Sequence, residues 1–125
     1  MLIDSNVLID IFRGSRPAKR AVLSGPDAFA STITYLELLQ GVRSKSEIKT
    51  VREDLSSLGV KMAPLDADIS HRAILLMEAY RPAHGLELAD ALIAATALER
   101  QWPLMTGNVK HFRYIAGLEV RMVRA

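Results

Sequence analysis

Short apolar runs alternate along this chain with longer segments of helical periodicity, and that alternation constrains the fold more than any other feature. Leu2-Ile3, Ala28 to Ser31, Val60 to Leu65, Pro103 to Thr106 and Val120 to Val123 read as strands. Helical spacing joins Val7, Leu8 and Phe12, and an N-cap at Ser15 with Pro17 in the first turn starts a helix running to about Leu23. Further helices are predicted from Thr34 to Gln40 with Thr34 as the cap, from Ser46 to Leu58, from Asp66 to Tyr80, and from about Glu87 to Gln101. Gly25-Pro26, Gly41, Gly59 and the stretch Pro82 to Gly85 supply the breaks, and Asn108 to Tyr114 reads as a turn or short helix. Strands that are apolar throughout are buried on both faces, which predicts an α/β fold with a parallel or mostly parallel sheet between helical layers.

At 125 residues the chain is long enough for one core, with roughly two thirds of its unfolded surface removed from water. No repeat, low-complexity segment or linker divides it, so a single domain over residues 1–125 is expected. There is no cysteine, which excludes disulfides, thiolate metal sites and a cysteine nucleophile. The longest apolar stretch, Leu88 to Leu98, contains Asp90 and is far shorter than the roughly 20 residues a bilayer requires. The first residues lack the basic region of a secretion signal, so a cytoplasmic protein without membrane association is expected. A formal charge of +2 permits a nucleic-acid partner without demanding one. Basic residues gather at Arg13, Arg16, Lys19 and Arg20, and again at Lys110, Arg113, Arg121 and Arg124; aromatic residues are few, which argues against a stacking platform for single-stranded bases.

Charge or amide interrupts hydrophobic sequence at four places. Asp4 follows the first strand, where ligands of open α/β sheets gather, and would equally cap the next helix. Glu37 sits among large apolar neighbours, and Thr34-x-x-Glu37 has the form of a capping box. Asp90 falls in the first turn of an alanine-rich helix, where it would complement the helix dipole or, if the small neighbours bring other backbone close, be buried and in need of a cation. Asn108 and His111 follow the strand at Leu104-Met105, with an ordinary turn as the plain explanation for Asn108.

Each place has a structural explanation, yet all four lie at strand ends or helix starts on what should be one edge of one sheet. Carboxylates brought together repel, and a divalent cation is the usual remedy. An all-oxygen set without cysteine selects a hard ion, Mg²⁺ or Mn²⁺, which substrate phosphate completes. Phosphodiester hydrolysis is the chemistry this predicts.

Leu2-Ile3-Asp4-Ser5-Asn6-Val7-Leu8 resembles the opening of PIN domains, Thr34-x-x-Glu37-Leu38 their second acidic segment, Asp90-Ala91-Leu92-Ile93-Ala94-Ala95-Thr96-Ala97 their third, and Thr106-x-Asn108 their fourth. The ordered set spans nearly the whole chain. The resemblance implies a three-layer α/β/α domain with about five strands, acting as a metal-dependent ribonuclease. It implies Asp4, Glu37 and Asp90 as metal ligands and Asn108 as a fourth catalytic residue that orients them. Small members of this kind resemble VapC toxins, which implies a VapB-like antitoxin as partner, operator DNA bound through the antitoxin complex, a homodimer, and structured RNA as substrate. Lys110-His111 stands where the family often carries a further acid, leaving His111 as a substitute ligand, a phosphate contact or a solvent-facing side chain.

Two other readings fit fewer residues. A phospho-acceptor domain of the response-regulator kind expects paired acids after the first strand, whereas Ile3-Asp4-Ser5 offers one. A PIN-fold binding module without strong catalysis, directed at nucleic acid or protein, is the alternative that His111 keeps open.

Overall fold

Successive residues of a strand point to opposite faces of its sheet, yet Leu2 and Ile3, which make up β1 (Leu2–Ile3), are both wholly buried. Both faces of the sheet are therefore covered. In the computed structural model, which describes residues 1–123, Ile3 packs with Val7, Leu8, Val22, Leu55 and Val60 on one side. Leu2 packs with Ile69, Leu76, Ile93, Ala94 and Phe112 on the other. Each large apolar side chain so buried contributes about 1.5–3 kcal/mol, which is how a central strand of two residues persists.

The remaining strands are β2 (Phe29–Ser31), β3 (Lys61–Ala63), β4 (Leu104–Thr106) and β5 (Val120–Met122). All pair in parallel in the order β3-β2-β1-β4-β5, with Leu2 in register with both Phe29 and Leu104. The chain builds outward from β1 through β2 to β3, then crosses back to lay β4 on the other side of β1. The order reverses between β1 and β4, and in such sheets a crevice opens there at the carboxyl ends of the strands.

Helices α1 (Ser5–Phe12), α2 (Arg16–Ser24), α3 (Thr32–Gln40), α4 (Lys45–Ser57), α5 (Ala67–His84) and α6 (Leu88–Arg100) complete the fold, with a 3₁₀ turn at Val109–His111. In α6, Ala91, Ala94, Ala95 and Ala97 are buried, and their small side chains let the helix sit close to its neighbours. None of the described helices is long and apolar enough to cross a membrane.

Two expectations from sequence are corrected. The cap of α3 is Ser31, whose hydroxyl accepts from the Ile33 amide at 3.2 Å, so the helix starts directly off β2 and Thr34 lies inside it. Pro82 does not end α5: it removes one N–H near the end of the helix, which runs on to His84 and closes through a Gly85 amide donating to Arg81 O at 2.9 Å. Gly85 takes the left-handed conformation, φ 69°, that stops the helix. Arg124 of the second basic group lies outside the described residues.

Candidate active site

The crevice between β1 and β4 is stitched shut at its base by Asp4. One carboxylate oxygen accepts from the Ser5 amide at 2.8 Å, so Asp4 does cap α1. The other accepts from the Thr106 hydroxyl at 2.7 Å across the strands. Thr106 Oγ1 in turn accepts from the Asn108 amide at 3.0 Å, and Asn6 Oδ1 accepts from the Gly107 amide at 3.2 Å. These bonds fix the loop after β4 against the start of α1. Burial raises the Asp4 carboxyl above its ordinary value, against the opposing hydrogen bonds from Thr106 and Ser5 and the attraction of His111.

Glu37 reaches the same place from the interior of α3, well past the capping position. With Ser31 as the cap, the capping-box explanation for Glu37 does not apply. Its Oε1 is buried and has no hydrogen-bond partner among the described residues, an arrangement that normally costs about 1–3 kcal/mol. Burial and the nearby Asp4 charge both push its carboxyl upward, with the Ser5 hydroxyl opposing.

Asp90 stands in the first turn of α6, where the dipole alone would favour the charged form. Instead its carboxyl is pushed up to about 6, by burial first, then by the Asp4 and Glu37 charges, with His111 pulling the other way. His111 Nδ1 lies 3.3 Å from Asp90 Oδ2, and 19% of the Asp90 side chain is exposed. Carboxyl groups from three segments thus share one field, in which Asp4 raises the proton affinity of both others and Glu37 that of Asp90.

Among the described residues, no three His, Asp or Glu side chains converge into a ready-made metal cage. The three carboxyl groups are instead spaced apart, with Glu37 Oε1 buried and left without a hydrogen-bond partner among the described residues. Such a spaced, all-oxygen set fits a hard cation that keeps several of its waters, as Mg²⁺ does, better than one stripped of them. Asn108 is drawn in through its backbone; its side chain is exposed and makes no capping bond, and φ −116° shows that it does not serve a left-handed turn. Sequence reasoning misses Thr106 and Asn6 as positioning residues. The signal for Thr106 is a hydroxyl ending an otherwise apolar strand.

Residues 1–118 match the PIN-domain family profile. The chain belongs to the PIN-domain family. Among curated relatives of this PIN domain, Ribonuclease VapC19 of Mycobacterium tuberculosis is 35% identical over 94% of the chain and 96% of its own length. A toxin-antitoxin complex from Klebsiella pneumoniae contains a chain 34% identical, with a TM-score of 0.79, covering 97% of this chain and 95% of that one. VapBC2 from Rickettsia felis, bound to a promoter DNA fragment, shares the fold at a TM-score of 0.81 and 18% identity, covering 97% of this PIN domain and 96% of that chain. The α/β sandwich with its five-stranded parallel sheet is thus the architecture expected of a PIN domain.

Proposed function

We propose that this PIN domain is a divalent-cation-dependent endoribonuclease and the toxin of a VapBC-type pair, cutting structured RNA by hydrolysis of phosphodiester bonds. The observation that carries the reading is the unneutralised acidic centre at the sheet's switch point, with Asp90 held at about 6 by burial, Asp4 and Glu37. Relatives named as VapC ribonucleases support it. Asp4 and Asp90 would hold Mg²⁺ or Mn²⁺, and Glu37 a shared or second ion or its water. When bound, the cation supplies Lewis acidity toward phosphate and water. The chain's own part is positioning: Thr106 and Ser5 fix the Asp4 carboxylate, His111 fixes Asp90, and the Asn108 backbone locks the loop beneath the crevice. The resemblance to VapBC assemblies supports a VapB-like antitoxin as partner and operator DNA bound only through that complex, and a homodimer is part of the same proposal.

Mn²⁺ titration tests the proposal directly. Millimolar Mn²⁺ should raise the melting temperature at pH 7.5 and switch on cleavage of a transfer-RNA panel. Both responses should fade below pH 6, because protons then compete for Asp90. No metal response at any pH would sink it. The rival binding module draws on one contact, His111 against Asp90; RNA or partner binding without cleavage in saturating Mn²⁺ would establish that rival.

A further inference from the structure

Few as the aromatic side chains are, the fold gathers three of them beside the acidic centre. His84 is the last residue of α5 and Tyr114 follows the 3₁₀ turn; their rings stack 4.1 Å apart and within 3° of parallel. Tyr80 braces both, with ring centroids 5.4 Å from Tyr114 and 6.2 Å from His84. The Tyr80 hydroxyl also accepts from the Ala116 amide at 3.1 Å, tying down the loop that carries Tyr114. Arg81 Nη1 donates to the Gly85 and Leu86 carbonyls at 3.0 and 3.4 Å, fixing the backbone that follows His84. The platform is therefore assembled before anything binds.

A cleft of about 200 Å³ opens between these rings and the acidic centre, with His84, Tyr114, Lys110, Glu87 and Asp90 in its lining. Asp90 belongs to both the cleft and the crevice, so whatever fills the cleft lies next to the phosphate the acids would act on. His84 and Lys110 are exposed. A stack that served packing alone would be buried and apolar; this one presents an imidazole to solvent beside an ammonium group. Glu87 and Asp90 repel phosphate on one part of the lining, while Lys110, with His111 next to it, offers phosphate a positive landing point.

We infer that this cleft binds one unpaired nucleobase of the RNA strand, stacked on the His84–Tyr114 pair, with the adjoining phosphate held by Lys110. The inference rests on the ribonuclease reading and deepens it: the cut falls beside a nucleotide that can leave its helix, in a loop, bulge or single-stranded segment. Stacking on aromatic planes tolerates any base and adds affinity that does not depend on salt, whereas the Lys110 contact releases counterions and does.

The test uses the full chain carrying Asp4→Asn, to stop cleavage, and a fluorescein-labelled single-stranded RNA of about twelve nucleotides read by anisotropy. His84→Ala should weaken binding about tenfold with an unchanged salt slope, and His84→Phe should restore it to within about twofold of the parent. Lys110→Ala should weaken binding and lower the salt slope by about one. A 2-aminopurine walked along the strand should be quenched at one position by the parent and by His84→Phe, and not by His84→Ala. Parental affinity in His84→Ala overturns the inference while leaving the ribonuclease reading intact. So does a loss that His84→Phe fails to rescue, or one that tracks a fall in melting temperature. If His84→Ala binds RNA normally but loses a purified antitoxin, the cleft is a protein site and the inference fails. A parent that neither binds this RNA nor, with Asp4 restored, cuts any RNA brings down both readings together.

Discussion

The two ends of α6 treat their acids in opposite ways. Near its C-terminus, Arg100 meets Asp66 at 3.2 Å, while Asp66 also caps α5 by accepting from the Ile69 amide at 2.9 Å. Beside Arg100, Glu99 pairs with Arg72 at 3.0 Å. At the N-terminus, roughly 15 Å away by helical rise, Asp90 has the imidazole of His111 and two repelling carboxylates. An aspartate caps α5 and another stands in the first turn of α6, and only the first meets an arginine. An acid with its partners supplied by the fold is architecture. An acid denied them costs stability, and that cost persists where another species completes the site.

The comparison can be broken or sharpened by substitution. The largest effect belongs to Asp4→Asn, which should cut Mn²⁺-supported RNA cleavage by at least about a hundredfold while circular dichroism shows the fold retained. Next, Asp90→Asn should stabilise the protein by about 1–2 kcal/mol at pH 7.5 in chelator, after allowance for solvent screening. The sign follows from a raised carboxyl: its contribution to stability is full below the ordinary value of 3.8 and is lost as pH rises through about 6. The advantage of the variant should accordingly vanish near pH 4 in urea denaturation, and a destabilised Asp90→Asn at pH 7.5 would erase the contrast. Asp66→Ala should do the reverse, lowering stability by about 1 kcal/mol with cleavage rates unchanged. Arg72→Ala should change the unfolding free energy by less than about 0.5 kcal/mol, since its pair with Glu99 is partly exposed.

Much of this contrast is legible in the amino-acid sequence. The run Met1-Leu2-Ile3 ending at Asp4 announces a buried strand with an acid at its tip, because an apolar strand without alternation has nowhere to go but a covered sheet. Asp90 stands out for the same reason, a charge among alanines. The cap of α3 is harder to place, because only the end of β2 decides which amides are left free. A cap at Thr34 also disguises Glu37, since a capping box would give its carboxylate a backbone partner, whereas in the folded chain Oε1 is left with none among the described residues. The Thr106–Asp4 bond joins residues 102 positions apart and has no sequence period to betray it. The aromatic cluster escapes for a related reason: composition counts rings, while Tyr80, His84 and Tyr114 matter through where two distant segments meet.

The central strand precedes, in the sequence, the four strands that flank it. Leu2 aligns with Phe29 on one side and with Leu104 on the other, so during synthesis it must wait for the fourth strand to emerge. At roughly 5–20 residues per second, the interval between Asp4 and Thr106 leaving the ribosome is on the order of several seconds to twenty. Throughout that time the pocket has no floor. Until the fourth strand arrives, Asp4 lacks the hydroxyl that fixes its carboxylate.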